Sequence, residues 1–288
     1  MSNGHGAPAP DVLPRIEALL ARYDVFFLDA YGVLVNSNGA LPGAATFLES
    51  LAERGKPYWL LSNDASRSID TTWKRYTGFG LPVARERIIT SGSLLGRTFQ
   101  REGLVGQRCI VLGTDDSRAY VEAAGGIVAP PDDRSATVCV LADDYGYPFL
   151  ETMNEVITVL LHRLEHGQTT RLLLPNPDLV FPRTGGFGLT AGAIAAAVEA
   201  VLRLRDPSGS QRFVPLGKPY LPIFEAGLEK VGGAVPKARI LMLGDQLATD
   251  ILGATRAGIA SALLLTGVSR LAELAHAEAQ PTHVVERL

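Results

Sequence analysis

The chain has 288 residues, 47% of them apolar and 20% charged, with 27 Lys and Arg against 30 Asp and Glu and a formal net charge of −3. That length suits one large domain or two unequal ones. The composition excludes disorder over most of the chain, and the charge balance leaves no basic excess for non-specific nucleic-acid binding. Cys109 and Cys139 are too few for a disulfide framework and make no CxxC pair; they fit a reduced, cytoplasmic compartment. Residues 1–10 lack the basic and apolar regions of a signal peptide, and no apolar run approaches the ~20 residues of a membrane span.

Residues 1–10, rich in Gly, Ala and Pro, are expected to form a mobile leader. Leu13, Ile16, Leu19, Leu20 and Tyr23 recur at helical spacing and predict a helix. Residues 25–28 (VFFL) form an apolar run that stops at Asp29, the pattern of a buried parallel strand. Pro42-Gly43 opens a second helix that Gly55 is placed to end, and residues 57–61 are the next strand, stopping at Ser62-Asn63. Strand, helix and strand thus alternate as in βαβ units. Further strands are expected over residues 109–112, 136–141 (ending in Ala142-Asp143-Asp144) and 171–174, with a helix near residues 151–164. Thr190 is placed to cap an Ala-rich helix reaching about Arg205, and residues 205–210 form the clearest linker. After Gly217-Lys218-Pro219 come a helix near residues 221–230, a strand over residues 240–243 stopping at Gly244-Asp245, a helix from about Thr249, and an apolar run over residues 262–265.

Asp29, Ser62 and Asp245 each follow an apolar strand, and ligands of an open parallel sheet bind outside those strand ends. With Lys218, four dispersed segments (LDAYGVL, LLSND, GKP and LGDQLATD) are expected to converge. A carboxylate such as Asp29 can act as a nucleophile. Asp29 and Asp245 could share a Mg²⁺, which takes one or two carboxylates together with phosphate and water. The Ser62 hydroxyl and the Lys218 charge suit phosphate oxygens, Lys218 serving the nucleophile as well. Each residue also has a plainer reading: a turn acid at Asp29 or Asp245, a cap at Ser62, a solvated lysine at Lys218. Asp250 could be a helix-start acid favoured by the dipole or a metal-supporting group. Backbone donors near Asn63 and Asp64 could grip an anion, although an ionised Asp64 repels it unless turned away. Asn176 and Asp178 could contact substrate or form an Asx turn.

The four segments resemble motifs one to four of the haloacid dehalogenase superfamily. The stretch LVNSNGALPGAATFLESLAERGKPYWLLSN, LTAGAIAAAVE after Asn176-Pro177-Asp178, and GDQLATDILGATRAGIASALLLTGVS resemble its subclass IIA, which includes nitrophenyl-phosphatases and nucleotide or sugar phosphatases. The similarity runs from Asp24 to Val268. It implies an α/β fold: a doubly wound parallel core of residues 1–92 and 209–288, with an α/β cap inserted at residues 93–208. It also implies Mg²⁺-dependent phosphate-monoester hydrolysis through an aspartyl-phosphate. The implied catalytic residues are Asp29, Ser62 and Lys218; the implied phosphate contacts are Ser62, Asn63 and Lys218; the implied metal site is Asp29, the Tyr31 carbonyl, Asp245 and Asp250.

One position departs from the pattern. The family's phosphatases carry a second Asp two residues after the nucleophile as general acid and base, and here that residue is Tyr31. Such proton transfer is worth ~10²–10⁴-fold. D-x-Y-G-[TV] also resembles the superfamily's metal-free L-2-haloacid dehalogenases, against which Asp245 and Asp250 argue. The loss of that acid would also suit a different phosphoryl transfer, or a phosphate-ligand-binding protein with hydrolysis weakened. The expected partner is a small phosphate ester, with no nucleic acid or membrane, and a homodimer through a cap face stays open.

Overall fold

The computed structural model describes residues 11–183 and 185–288; the expected leader lies outside the described residues. Two parallel sheets organise the chain. The first has seven strands in the order Asp11–Arg15, His283–Arg287, Ala260–Leu264, Ile240–Gly244, Val25–Leu28, Tyr58–Ser62 and Ile88–Thr90, each neighbouring pair parallel. The chain leaves Val25–Leu28 toward Tyr58–Ser62 on one side and later returns to Ile240–Gly244 on the other. The strand order therefore reverses between Val25–Leu28 and Ile240–Gly244, which opens a crevice at their C-terminal ends.

Both strands are apolar throughout because the sheet is covered on both faces. Side chains alternate across it. Phe26 and Leu28 pack with Leu60, Leu241 and Leu243 on one face, while Val25 and Phe27 pack with Trp59, Leu61, Ile240 and Met242 on the other.

The second sheet has five parallel strands in the order Val214–Pro215, Arg171–Leu174, Val138–Leu141, Arg108–Leu112 and Ile127–Ala129. One face meets the helix Leu94–Glu102 in an apolar cluster continuous with the first sheet. The other packs on the helices Phe149–Glu165 and Ala191–Leu202. The edge strand Val214–Pro215 lies past residue 208, the expected end of the insert. The two cysteines are buried and free. No helix among the described residues is long and apolar enough to cross a membrane.

Three local expectations need correction. Residues 11–23 are not one helix: Asp11–Arg15 is a strand paired with His283–Arg287, and only Glu17–Leu20 is helical. Pairing with a strand distant in sequence overrode a helical spacing that packs Ile16, Leu19 and Leu20 into the same core. The Ala-rich helix begins after Thr190, but the Thr190 side chain makes no cap bond, and the helix ends at Leu202. The helix expected from about Thr249 starts earlier, at Leu247, with a π-helical turn, Leu247–Ile251, that carries Asp250 in its first turn and leads into Leu252–Ala257.

Candidate active site

Asp29 follows Val25–Leu28, and its backbone N–H donates to the Leu243 carbonyl across the crevice (2.9 Å). The neighbouring strand delivers Asp245 one residue after its own end. Two adjacent parallel strands in register therefore place two acids side by side. The π-helical turn brings a third: the Asp250 N–H and the Ile251 N–H both reach the Gln246 carbonyl. Asp29, Asp245 and Asp250 are buried, and each presents a carboxylate oxygen within 4.8 Å of the others.

Lys218 enters this cluster from the loop after Val214–Pro215. Its Nζ donates to Asp29 Oδ1 (2.5 Å) and Asp250 Oδ1 (2.6 Å), and its side chain is 3% exposed. Asn63 holds that loop in place. Its Oδ1 accepts from the Lys218 N–H (2.7 Å), and its Nδ2 donates to the Lys218 carbonyl (2.9 Å) and to Asp178 Oδ1 (2.8 Å). The Asn63 amide is thus occupied with orienting Lys218 and joining it to the second sheet's side of the cleft. Any anion contact from this residue must come from its backbone.

Asp250 Oδ2 accepts from the Gln246 N–H (3.2 Å), so both of its oxygens have protein partners. Asp245 differs. Its Oδ2 accepts from the Val268 N–H (2.8 Å), but Oδ1 is buried with no hydrogen-bond partner among the described residues. An unpaired buried carboxylate oxygen is costly unless a cation meets it. The chain also approaches this carboxylate closely: a Cβ at Gly32 or Gly267 would collide with it, and Gly32 sits at φ +84°.

Burial pushes the Asp29 carboxyl up to about 7; Lys218 pulls it down and Asp250 adds to the rise. Burial, then Asp29 and Asp250, raise Asp245 well above the usual carboxylate range. Burial opposes charge on Lys218, but Asp250 and Asp29 outweigh it and keep the ammonium protonated. Three crowded carboxylates facing one ammonium make a site with an excess of negative charge, the electrostatic counterpart of a divalent cation.

Asp29 and Lys218 of this cluster line a cavity of about 430 Å³ and form its floor. Ser62 lies beside Asp29 in it, its Oγ accepting from the Asp64 N–H (3.2 Å). The Asp64 side chain turns back on its own loop, accepting from the Ser66 N–H and hydroxyl (2.8 Å each) and from Arg67 Nη1 (2.9 Å). Its charge is thereby neutralised beside the backbone donors that could grip an anion. Tyr31 also lines the cavity, but its hydroxyl accepts from Arg75 Nη2 (2.7 Å), with the guanidinium 5.4 Å from its ring centroid. Asn176 and Asp178 do form an Asx turn, the Asp178 N–H donating to Asn176 Oδ1 (3.0 Å), and both line the cavity as well.

Sequence reasoning passed over Asp143, Asp144, Tyr145 and Arg67, which complete the walls. The signal for Asp143 was present: residues 138–144 repeat the pattern of an apolar strand stopping at an acid, as at Asp29 and Asp245.

Known proteins resemble this chain in sequence and fold. The model of haloacid dehalogenase-like hydrolases matches residues 26–126, and a second model, of HAD-hydrolase-like proteins, matches residues 215–288. Chronophin from Bos taurus is 33% identical over 276 residues, covering 93% of this chain and 87% of that protein. A possible sugar phosphatase from Cytophaga hutchinsonii superposes with a TM-score of 0.84 at 29% identity, covering 97% of this chain and 98% of that one. The 4-nitrophenylphosphatase of Thermotoga maritima does so with a TM-score of 0.79 at 28% identity, covering 93% and 96%.

Proposed function

Because the chain belongs to the haloacid dehalogenase-like hydrolases, and within them to the subclass IIA phosphatases, we propose that it hydrolyses small phosphate monoesters with Mg²⁺ through an aspartyl-phosphate on Asp29. The observation that carries this reading is the buried cluster of Asp29, Asp245 and Asp250 around Lys218 at the point where strand order reverses.

The donor set fits a hard cation. All the side-chain ligands are oxygens, as Mg²⁺ requires, and Asp245 Oδ1 is a buried oxygen with no other partner. Asp29, Asp245 and the Tyr31 carbonyl would hold the ion. Asp250, with both oxygens bonded, would support it through Lys218 and the turn backbone. Mg²⁺ bound there neutralises phosphate charge and keeps Asp29 ionised at neutral pH.

The chain's own groups then have distinct tasks. An Asp29 oxygen attacks phosphorus. Lys218 orients that carboxylate and offers positive charge to the transferring group. The Ser62 hydroxyl binds a phosphate oxygen, and Asn63 fixes Lys218. The first sheet serves as the catalytic core and the second, which Val214–Pro215 joins past residue 208, as the cap, which closes the leaving-group side of the cavity with Asp143, Asp144, Tyr145 and Asp178.

The decisive assay is 4-nitrophenyl phosphate turnover with and without Mg²⁺, alongside halide release from a 2-haloacid. Mg²⁺-dependent phosphate release supports the reading. Metal-independent halide release would establish a dehalogenase instead, and tight phosphate-ester binding with no turnover a ligand-binding protein.

A further inference from the structure

Resting on the phosphatase reading, we propose that Asp143, on the cap side of the cleft, is the proton donor and acceptor that Tyr31 cannot supply. Asp143 follows the strand Val138–Leu141 of the second sheet and lines the same cavity as Asp29 and Tyr31. Asp29 lies on the floor with Ser62 and Lys218, so a phosphate held there directs its ester oxygen toward the opposite wall. Attack by Asp29 and departure of the leaving group are in line, and the water that later attacks the phosphoaspartate must arrive where the leaving group left. One group on that wall can therefore serve both steps.

The surroundings of Asp143 suit a carboxyl that exchanges a proton. It is 6% exposed. The Asp144 N–H donates to its Oδ1 (2.8 Å), and the Ser66 hydroxyl stands beside it. Ser66, however, has a single hydroxyl proton, which is given to Asp64 Oδ1. The other charged and titratable groups near it are Asp144 and Tyr145 on its own loop, Tyr147, whose hydroxyl donates to the Asp143 carbonyl (3.1 Å), and Asp64 with Arg67 on the facing loop. Arg67, the nearest cation among these, is paired with Asp64. Burial, with Asp144 adding to it, raises Asp143 to about 7. A carboxyl raised in this direction holds its proton to higher pH than an exposed one, as a group that both gives and takes a proton near neutrality must. Two other carboxyls line this side: Asp144, adjacent on the same loop but more open to solvent than Asp143, and Asp178, whose Oδ1 accepts from Asn63, which ties it to the Lys218 loop.

In the first step Asp29 forms a bond to phosphorus while the ester P–O bond breaks. The electron pair of that bond goes to the leaving oxygen, which takes the proton of Asp143; the products are an alcohol, the aspartyl-phosphate and an Asp143 carboxylate. In the second step water attacks phosphorus and gives a proton to Asp143. The bond from phosphorus to the Asp29 oxygen breaks, and phosphate leaves with Asp29 and Asp143 in their starting forms.

The test is the ratio of alkyl to aryl kcat/KM, measured against pH with glycerol phosphate and 4-nitrophenyl phosphate; kcat/KM ends at departure of the leaving group, so the water attack common to both esters does not enter. Nucleophile and metal act on both esters and cancel in the ratio, whereas only the alkoxide needs a proton. In the wild type the ratio should fall as pH rises through about 7, because the donor is then ionised. Asp143→Asn should lower the ratio ~10²-fold or more and flatten its pH dependence. Asp178→Asn should slow both esters together. Equal loss on both esters in Asp143→Asn, a pH dependence that survives that substitution, or a ratio that moves in Asp178→Asn instead would overturn the proposal. Should Asp143→Asn fail to fold, a wild-type ratio independent of pH between about 6 and 8, either side of the range where the donor titrates, would overturn it as well. Wild-type turnover of the aryl ester, which needs no acid, tests the underlying phosphatase reading separately.

Discussion

The floor and the cap wall of the cavity both carry buried aspartates, yet their environments differ in kind. At the floor, Asp29, with Asp245 and Asp250 beneath it, crowds around one ammonium, with an oxygen of Asp245 left over. On the wall, Asp143 is bonded to a backbone N–H and forms no ion pair among the described residues. The floor's carboxylates can stay ionised only by sharing positive charge, which suits a nucleophile and metal ligands. The wall's carboxyl relieves its burial by taking a proton, which suits an acid. One residue type is set to opposite tasks by what surrounds it.

The sharpest way to break this contrast is to remove the floor's nucleophile. Asp29→Asn keeps shape and leaves the bond from Lys218 to Asp250 intact, so the fold should persist by circular dichroism. Turnover of 4-nitrophenyl phosphate should drop by on the order of 10⁴–10⁶-fold. Activity within a few-fold of wild type would remove Asp29 from the nucleophile's role. The metal assignment is tested next. Mg²⁺ at about 100 times its dissociation constant should stabilise the folded protein by ~2.7 kcal/mol, seen as a higher Tm and reversed by a chelator. Asp245→Asn should abolish both that rise and turnover. A Tm rise unchanged in Asp245→Asn would place the ion elsewhere.

Much of this floor was legible in the sequence because it depends on strand ends. Apolar runs at residues 25–28 and 240–243 set two buried strands, and the acids that follow them must share one edge of the sheet. The motif resemblance ordered those segments without showing their contacts. It did not show that the Asn63 side chain serves Lys218 and Asp178, because those bonds join residues 155 and 115 positions apart. Nor did periodicity reveal that Asp11–Arg15 is a strand, since its partner begins at His283. Asp143 carried a readable strand-then-acid pattern, but only the folded chain sets it beside Ser66 and in one cavity with Asp29.

A smaller effect probes how the floor holds its charge. Lys218→Ala removes the ammonium between Asp29 and Asp250, and breaking a buried pair of this kind costs ~3–5 kcal/mol. The sign with pH follows from Asp29, whose carboxyl burial already raises above its unfolded value and which Lys218 pulls down. Without Lys218 that rise is larger, so folding is penalised increasingly as pH climbs above the unfolded pKa of about 4. The Tm deficit of Lys218→Ala relative to wild type, measured without metal, should be large at about pH 8 and shrink toward about pH 5. A deficit independent of pH would mean that Lys218 contributes packing rather than charge.

The smallest expected effect lies at position 31. The Tyr31 hydroxyl is bonded to Arg75, and its side chain is 41% exposed at the cavity's edge, so the phenol is anchored outward. Tyr31→Asp leaves the backbone carbonyl in place but puts a carboxyl beside Asp29. If Asp143 already moves the proton, this addition is redundant, and the alkyl-to-aryl ratio should rise by less than ~10-fold, well below a full general-acid contribution. In an Asp143→Asn background the same substitution should matter more, because the second acid then meets a real deficit. The two substitutions should therefore be strongly non-additive, as expected of groups sharing one task. A Tyr31→Asp gain of equal size in both backgrounds would show that the wall and position 31 act independently, and would separate Asp143 from the proton transfer.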